Sequence, residues 1–208
     1  MLEKALFLQQ LYLRKLCGES YCQNFTPAKK LTSKESKADT EKLIATCSLC
    51  ELAKNADSKI CGVIAPNATL CFITLKPTLP YSASYEMIEN IAKRVFCVES
   101  YNLLSLIKCD THLTPQQSHI ATCGDYLKTQ IEAMNAKLFV IFGIEVAHFL
   151  LKNDEPLESL RGRILTNIKD FIVTFHTSDL LKNHNLKKLA FDDFKIAKAY
   201  ISQQQKGQ

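Results

Sequence analysis

No stretch of the 208-residue chain approaches the roughly 20 consecutive apolar residues needed to cross a bilayer, so no membrane span is expected. The opening, MLEKALFLQQLYLRKL, is broken by Lys4, Gln9, Gln10, Arg14 and Lys15. It lacks the apolar core and small-residue cleavage site of a secretory signal, and a cytoplasmic location is expected. A strong charge of one sign is also missing. The 26 Lys and Arg residues face 21 Asp and Glu, a net +5 that permits a nucleic-acid partner without arguing for one. No internal repeat is present. Cysteine, by contrast, is plentiful, with nine residues. The number is odd, no secretion signal precedes it, and the chain is long enough to bury its own core. A disulfide framework is therefore not expected, and metal binding becomes the leading explanation.

Residues 1–22 form the first predicted unit. Leu2, Ala5, Leu6, Leu8, Leu11, Tyr12 and Leu16 recur at helical spacing, giving an amphipathic helix that either docks on the main domain or meets a protein partner. Residues 23–40 read as a linker, because TPAKKLTSKESKADT is polar and has no apolar period. From Glu41 to Ile201 helices and strands alternate, and residues 202–208 are a tail. TLCFIT, YNLLSLI, KLFVIF and DFIVTF are short, nearly continuous apolar runs, suited to strands buried on both faces of a parallel sheet. EKLIATCSLCELA and segments 84–96, 114–134, 144–151 and 186–201 read as helices, the second of these four opening on TPQQ as a capping box with Pro115 at its first position. The expected fold is a three-layer α/β/α domain around a four-stranded parallel sheet, plus the N-terminal helix. Its cleft should lie at the strand carboxyl ends, which include the loop LKPTLP after the first strand.

The spacing CSLC, read as helix, places Cys47 and Cys50 one turn apart, so that both thiolates face one metal centre. Cys109 follows the second strand and Cys123 lies in the next helix, completing a four-thiolate set. Such a set holds either zinc or a [4Fe–4S] cluster, and spacing does not choose between them. Cys61, Cys71 and Cys97 read as small apolar residues, and the looser pair Cys17 and Cys22 is left unassigned.

The order of CSLCELA, NLLSLIKC, a helix carrying Cys123, KLFVIFGIEVAHFLL, LRGRI and VTFHTSDLLKNHNLKKLAFDDF resembles the family-4 uracil-DNA glycosylases, the iron–sulfur branch of that superfamily. The resemblance covers roughly residues 41–200. It implies a [4Fe–4S] cluster on Cys47, Cys50, Cys109 and Cys123, and cleavage of an N-glycosidic bond after a base is flipped out of DNA. It places His176 as the group that stabilises the leaving base. Ser105 falls on the position of an asparagine that reads the uracil edge. Thr74, Leu75, Lys76, Pro77 and Thr78 replace a Gly-Glu-Ala-Pro-Gly loop whose glutamate is associated with water activation. Tyr81 is the candidate for the aromatic that stacks on the flipped base. Arg161, Arg163, Lys182, Lys187 and Lys188 are candidates for phosphate contacts, whereas His112, His119, His148 and His184 read as surface or helix-face residues.

These replacements bear on chemistry. Leu75 cannot act as a general base, a role worth on the order of 10²–10⁴ in rate. One serine hydroxyl cannot make the two-point reading of an amide, and threonines in place of glycines restrict the loop backbone. Three functions follow as expectations. The first is a DNA-binding iron–sulfur protein of repair or replication, acting on damaged or single-stranded DNA with weak or lost uracil excision. The second is an active glycosylase in which Asp179 or Asp110 supplies the missing acid. The third is a non-enzymatic protein-interaction subunit working through the N-terminal helix.

Overall fold

The computed structural model describes residues 33–206. The expected N-terminal helix, Cys17, Cys22, the first part of the linker and the last two tail residues lie outside the described residues. In chain order the elements are α1 (Ser33–Ala45), α2 (Glu51–Lys54), β1 (Ser58–Lys59) and β2 (Leu70–Thr74). Helix α3 (Ala83–Asn90) runs on into a π-helical segment, Ile91–Phe96. Next come β3 (Asn102–Ser105), β4 (Cys109–Asp110), α4 (Gln117–Glu132), β5 (Leu138–Phe142) and α5 (Ile144–Leu151). The chain ends with α6 (Leu157–Leu160), β6 (Ile164–Thr166), β7 (Asp170–Thr174), α7 (Thr177–Lys182) and α8 (His184–Lys206). No described helix is long and apolar enough to cross a membrane.

The main sheet has the order β3-β2-β5-β7-β6. Strand β2 pairs in parallel with both β3 and β5, and β5 pairs in parallel with β7. Every residue of β2, β3 and β5 is buried, which is why these strands read as unbroken apolar runs. Alternate side chains feed two cores. Cys71, Ile73, Leu104, Phe139 and Ile141 pack with Leu127 and Ile131 of α4 and Val146 of α5. Leu70, Phe72, Leu138, Val140 and Phe142 pack with Ile88, Phe96 and Phe194 on the other face. Three layers result, each buried large side chain contributing roughly 1.5–3 kcal/mol. Phe72 makes edge contacts to Phe96 and Tyr101 at centroid distances of 6.0 and 5.5 Å.

The sheet has five strands, not four: β6 joins antiparallel to β7 at the edge. Its three residues, Ile164 to Thr166, are too short to show a period-2 pattern. Helix α1 also begins at Ser33, so it occupies residues 33–40 of the expected linker. The TPQQ cap moves two residues on, to Gln116, whose backbone N–H donates to His119 Nδ1 at 3.1 Å. His119 is thus a buried capping residue and not a surface one.

Strand β3 is also braced from outside the sheet. Val63 and Leu103 exchange two backbone hydrogen bonds of 2.8 Å. Gly62 reaches this bridge at φ +115°, and a Cβ there would lie 2.6 Å from the Leu103 carbonyl oxygen. Gly62→Ala is expected to cost at least about 1–3 kcal/mol of backbone strain. Denaturant melts check this, and an unchanged midpoint would contradict the bridge.

Candidate functional site

A parallel sheet delivers all its carboxyl ends to one edge, and here that edge gathers the β2 loop and the segment after β7. The crossover order places the switch between β2 and β5. His176 caps α7: its Nδ1 accepts from the Ser178 backbone N–H at 3.1 Å, with Ser178 Oγ at 2.8 Å. Because Nδ1 is used as an acceptor, the proton of the neutral ring sits on Nε2, which is thereby a donor. Gly143, at the end of β5, has φ +100°, and a Cβ there would stand 3.0 Å from His176 Cδ2. The glycine therefore leaves room for the imidazole.

His176 lines a cavity of about 250 Å³ with Thr74, Lys76, Pro77, Thr78 and Ser178 among its walls. Ser105 lines a different one, of about 140 Å³, with Gly62, Leu103, Pro77 and Thr78. Pro77 and Thr78 line both cavities. The loop is drawn inward by Thr74, whose Oγ1 donates to the Lys76 carbonyl at 2.8 Å and lies 3.3 Å from Thr78 Oγ1. Lys76 Nζ donates to the Thr111 carbonyl at 2.8 Å. Ser105 is 2% exposed, and its Oγ has no hydrogen-bond partner.

The remaining sequence candidates divide. Leu75 packs against the hydrophobic core on the α4 face, as its side chain demands. Tyr81 is 95% exposed, with φ +64°, and lines neither cavity. No carboxylate lines either cavity. Asp179 sits in the first turn of α7 beside Ser178 Oγ at 3.3 Å, and Asp110 pairs with Ser58. Arg163 meets Glu155 on the surface at 3.1 Å. Lys182, Lys187 and Lys188 are exposed.

Arg161 is committed inward. It donates to the Leu189 carbonyl at 2.8 Å and to Asp193 Oδ1 at 2.9 Å, and lies 4.8 Å from the Phe175 ring. Asp193, 2% exposed, also accepts from Thr174 Oγ1 at 2.8 Å. Burial raises the Asp193 pKa, while the Thr174 hydrogen bond and the Arg161 charge oppose it.

The four thiols are supplied by three separate segments. Cys47 and Cys50 are not on one helical turn: α1 ends at Ala45, and α2 begins only at Glu51. Thr46 Oγ1 turns back to the Lys42 carbonyl at 2.9 Å, and Cys50 is extended, φ −144°, as the cap of α2. Cys109 lies in β4, and Cys123 in α4. All four are free thiols. Burial, followed by the proximity of Cys123, Cys50 and Cys47, pushes the Cys109 thiol up to about 11. Tyr126, desolvated and hydrogen-bonded to Cys47, is pushed up to about 12, with Cys123 and Cys109 also in reach. Among the described residues no three His, Cys, Asp or Glu side chains converge tightly enough to hold a single ion. The set is nonetheless all sulfur, mutually repelling once ionised, and suited to a cationic centre.

Sequence reasoning missed Lys108. It is 2% exposed, and its Nζ donates to the Ser105 carbonyl and to Gln130 Oε1, both at 2.6 Å. Desolvation lowers its pKa to about 8, against the opposing influence of Cys123, Cys61 and Cys71. The signal available was a lysine placed inside the apolar run LLSLIKC.

A family model described as the uracil DNA glycosylase superfamily matches residues 61–196. Cys109, Cys123, Ser105 and His176 fall within that range; Cys47 and Cys50 precede it. The type-4 uracil-DNA glycosylase of Thermotoga maritima is 28% identical over 113 residues, 51% of this chain and 59% of that protein. The enzyme of the same name from Sulfurisphaera tokodaii is 23% identical over 173 residues, 73% of this chain and 79% of its own length. A third, from Saccharolobus solfataricus, is 26% identical over 115 residues, 50% and 53% of the two chains. The chain thus spans 59% and 53% of the first and third of these relatives.

Arg161→Ala would strand the buried Asp193 carboxylate and is expected to destabilise the fold by about 3–5 kcal/mol at neutral pH. The sign with pH follows from the raised Asp193 pKa. The cost of ionising this carboxyl is absent below its unfolded pKa and appears as pH rises through the folded one. Denaturant melts of the variant should therefore recover toward wild type in acid. An equal loss at both pH values would show that lost packing, not the stranded charge, is responsible.

Proposed function

The chain belongs to the uracil DNA glycosylase superfamily, and on that premise we propose that it is a DNA-binding iron–sulfur protein of repair or replication with weak or lost uracil excision. The observation that carries this reading is the partition at Pro77 and Thr78. The group that would stabilise a leaving base, His176, and the group at the base-reading position, Ser105, line separate cavities. No single cavity presents both groups to a flipped base. Neither cavity has a carboxylate to activate water, and Asp179 and Asp110 do not supply one. Tyr81 points to solvent rather than over a base.

DNA contact is supported by the exposed Lys182, Lys187 and Lys188, which stand on the helices that follow His176. Arg161 is left out of the phosphate set because Asp193 and the Leu189 carbonyl occupy it. The all-thiol donor set fits a [4Fe–4S] cluster held by Cys47, Cys50, Cys109 and Cys123, with zinc as the alternative. Such a centre would offset part of the thiolates' charge and tie together the α1–α2 break, β4 and α4.

A uracil-containing oligonucleotide, incubated with the protein and then cleaved with alkali at abasic sites, tests the reading. Excision should be slower than that of an active type-4 enzyme by about 10²–10⁴-fold, the contribution of a positioned base. DNA binding should persist and weaken steeply as salt rises. Robust excision that disappears in His176→Ala would overturn the proposal. The purified protein should be brown and contain iron and labile sulfide; a colourless protein with zinc would replace the cluster by the metal ion.

A further inference from the structure

We infer that Tyr81 is a stacking platform for an unpaired DNA base, acting outside both cavities. The inference rests on the DNA-binding reading above and names the part of the nucleic acid that meets this edge of the sheet. Tyr81 occupies the left-handed region at φ +64°, where a bulky side chain is an outlier. The Ser82 backbone N–H donates to the Leu79 carbonyl at 3.2 Å, closing a turn with Pro80 second and Tyr81 third. At that third position a positive φ calls for glycine or asparagine. The other described non-glycine residues with positive φ are Asn67, Cys97 and Lys152. Asparagine tolerates the conformation, and Cys97 and Lys152 are helix C-caps, where it is common. Tyr81 has neither reason. Packing does not offset the strain either: the residue is 95% exposed, and among the described residues it takes part in no hydrogen bond or ring contact.

A strained backbone that presents an aromatic ring to solvent points to a contact outside the chain. The turn beneath the ring is anchored. Ser82 Oγ donates to the Leu79 carbonyl at 2.7 Å and accepts from the Tyr85 backbone N–H at 3.2 Å as the cap of α3. Leu79, 38% exposed, lines the His176 cavity, and Pro80 lines the Ser105 cavity. The tip thus adjoins both cavities at the carboxyl edge of the sheet. Beside it the His176 cavity presents Ser82, Ser84, Thr177 and Ser178, hydroxyl donors suited to a polyanion, and no carboxylate to repel one. A stable protein interface covers about 800 Å² on each partner, far more than Leu79, Pro80 and Tyr81 offer. Every base has a π-face, so a single aromatic platform holds a strand with little regard to sequence. In continuous duplex those faces are covered by neighbouring bases, which restricts the platform to unpaired ones.

The test is fluorescence anisotropy of the full chain with a labelled single-stranded oligonucleotide and with its long matched duplex, at one salt concentration. Tyr81→Ala should weaken single-strand binding about 5- to 150-fold, the range for loss of one stacked base, and leave duplex binding unchanged. Tyr81→Phe should bind like wild type. Tyr81→Gly should lose single-strand binding to the same extent while its denaturation midpoint holds or rises, because glycine adopts positive φ freely. A lower midpoint would show that the ring serves the fold and would overturn the inference. The chain has no tryptophan, so Tyr81→Trp supplies a single reporter whose emission the single strand should quench and the duplex should not. Salt-sensitive DNA binding that is equal in wild type and Tyr81→Ala would overturn the platform, leave the DNA reading intact and assign the tip to a protein partner. A wild-type protein that binds no DNA at low salt would overturn the DNA reading, and this inference with it.

Discussion

Strands β2 and β5 have no face toward solvent, and the rest of the molecule is arranged around that burial. Because each must be covered on both sides, helices flank the sheet in two layers. Because both run parallel to their neighbours, their carboxyl ends, with those of β3 and β7, open on one edge. The β2 loop, Ser105, Gly143 and His176 are brought together by this geometry before any chemistry is specified. The same burial sends Cys71 and Ile73 to one core and Phe72 to the other, so shifting β2 by one residue would exchange the two faces.

That edge carries the histidine that caps α7 and the glycine that clears space for it, and the four thiols are drawn from separate segments. The loop after β2 departs from the pattern. Thr74 bonds back onto its own loop, and Pro77 and Thr78 line both cavities at that edge.

Much of the fold was legible in the residues. β2, β3, β5 and β7 stood out as apolar runs because burial on both faces removes polar alternation. Strand β6 was hidden because three residues carry no period. The cysteine set was readable by order along the chain, although its local geometry was not. Thr46 and Cys50 break the helix that the apolar pattern of EKLIATCSLCELA suggests, and such side-chain competition with the backbone does not show in periodicity. Arg161 illustrates the opposite problem. Its neighbour in RGR is an exposed arginine, and only the approach of α8, more than twenty residues later, determines that Arg161 turns toward Asp193.

The sharing of Pro77 and Thr78 has a consequence of its own. Because the same two residues line the cavity of His176 and the cavity of Ser105, a single substitution at either one reshapes both.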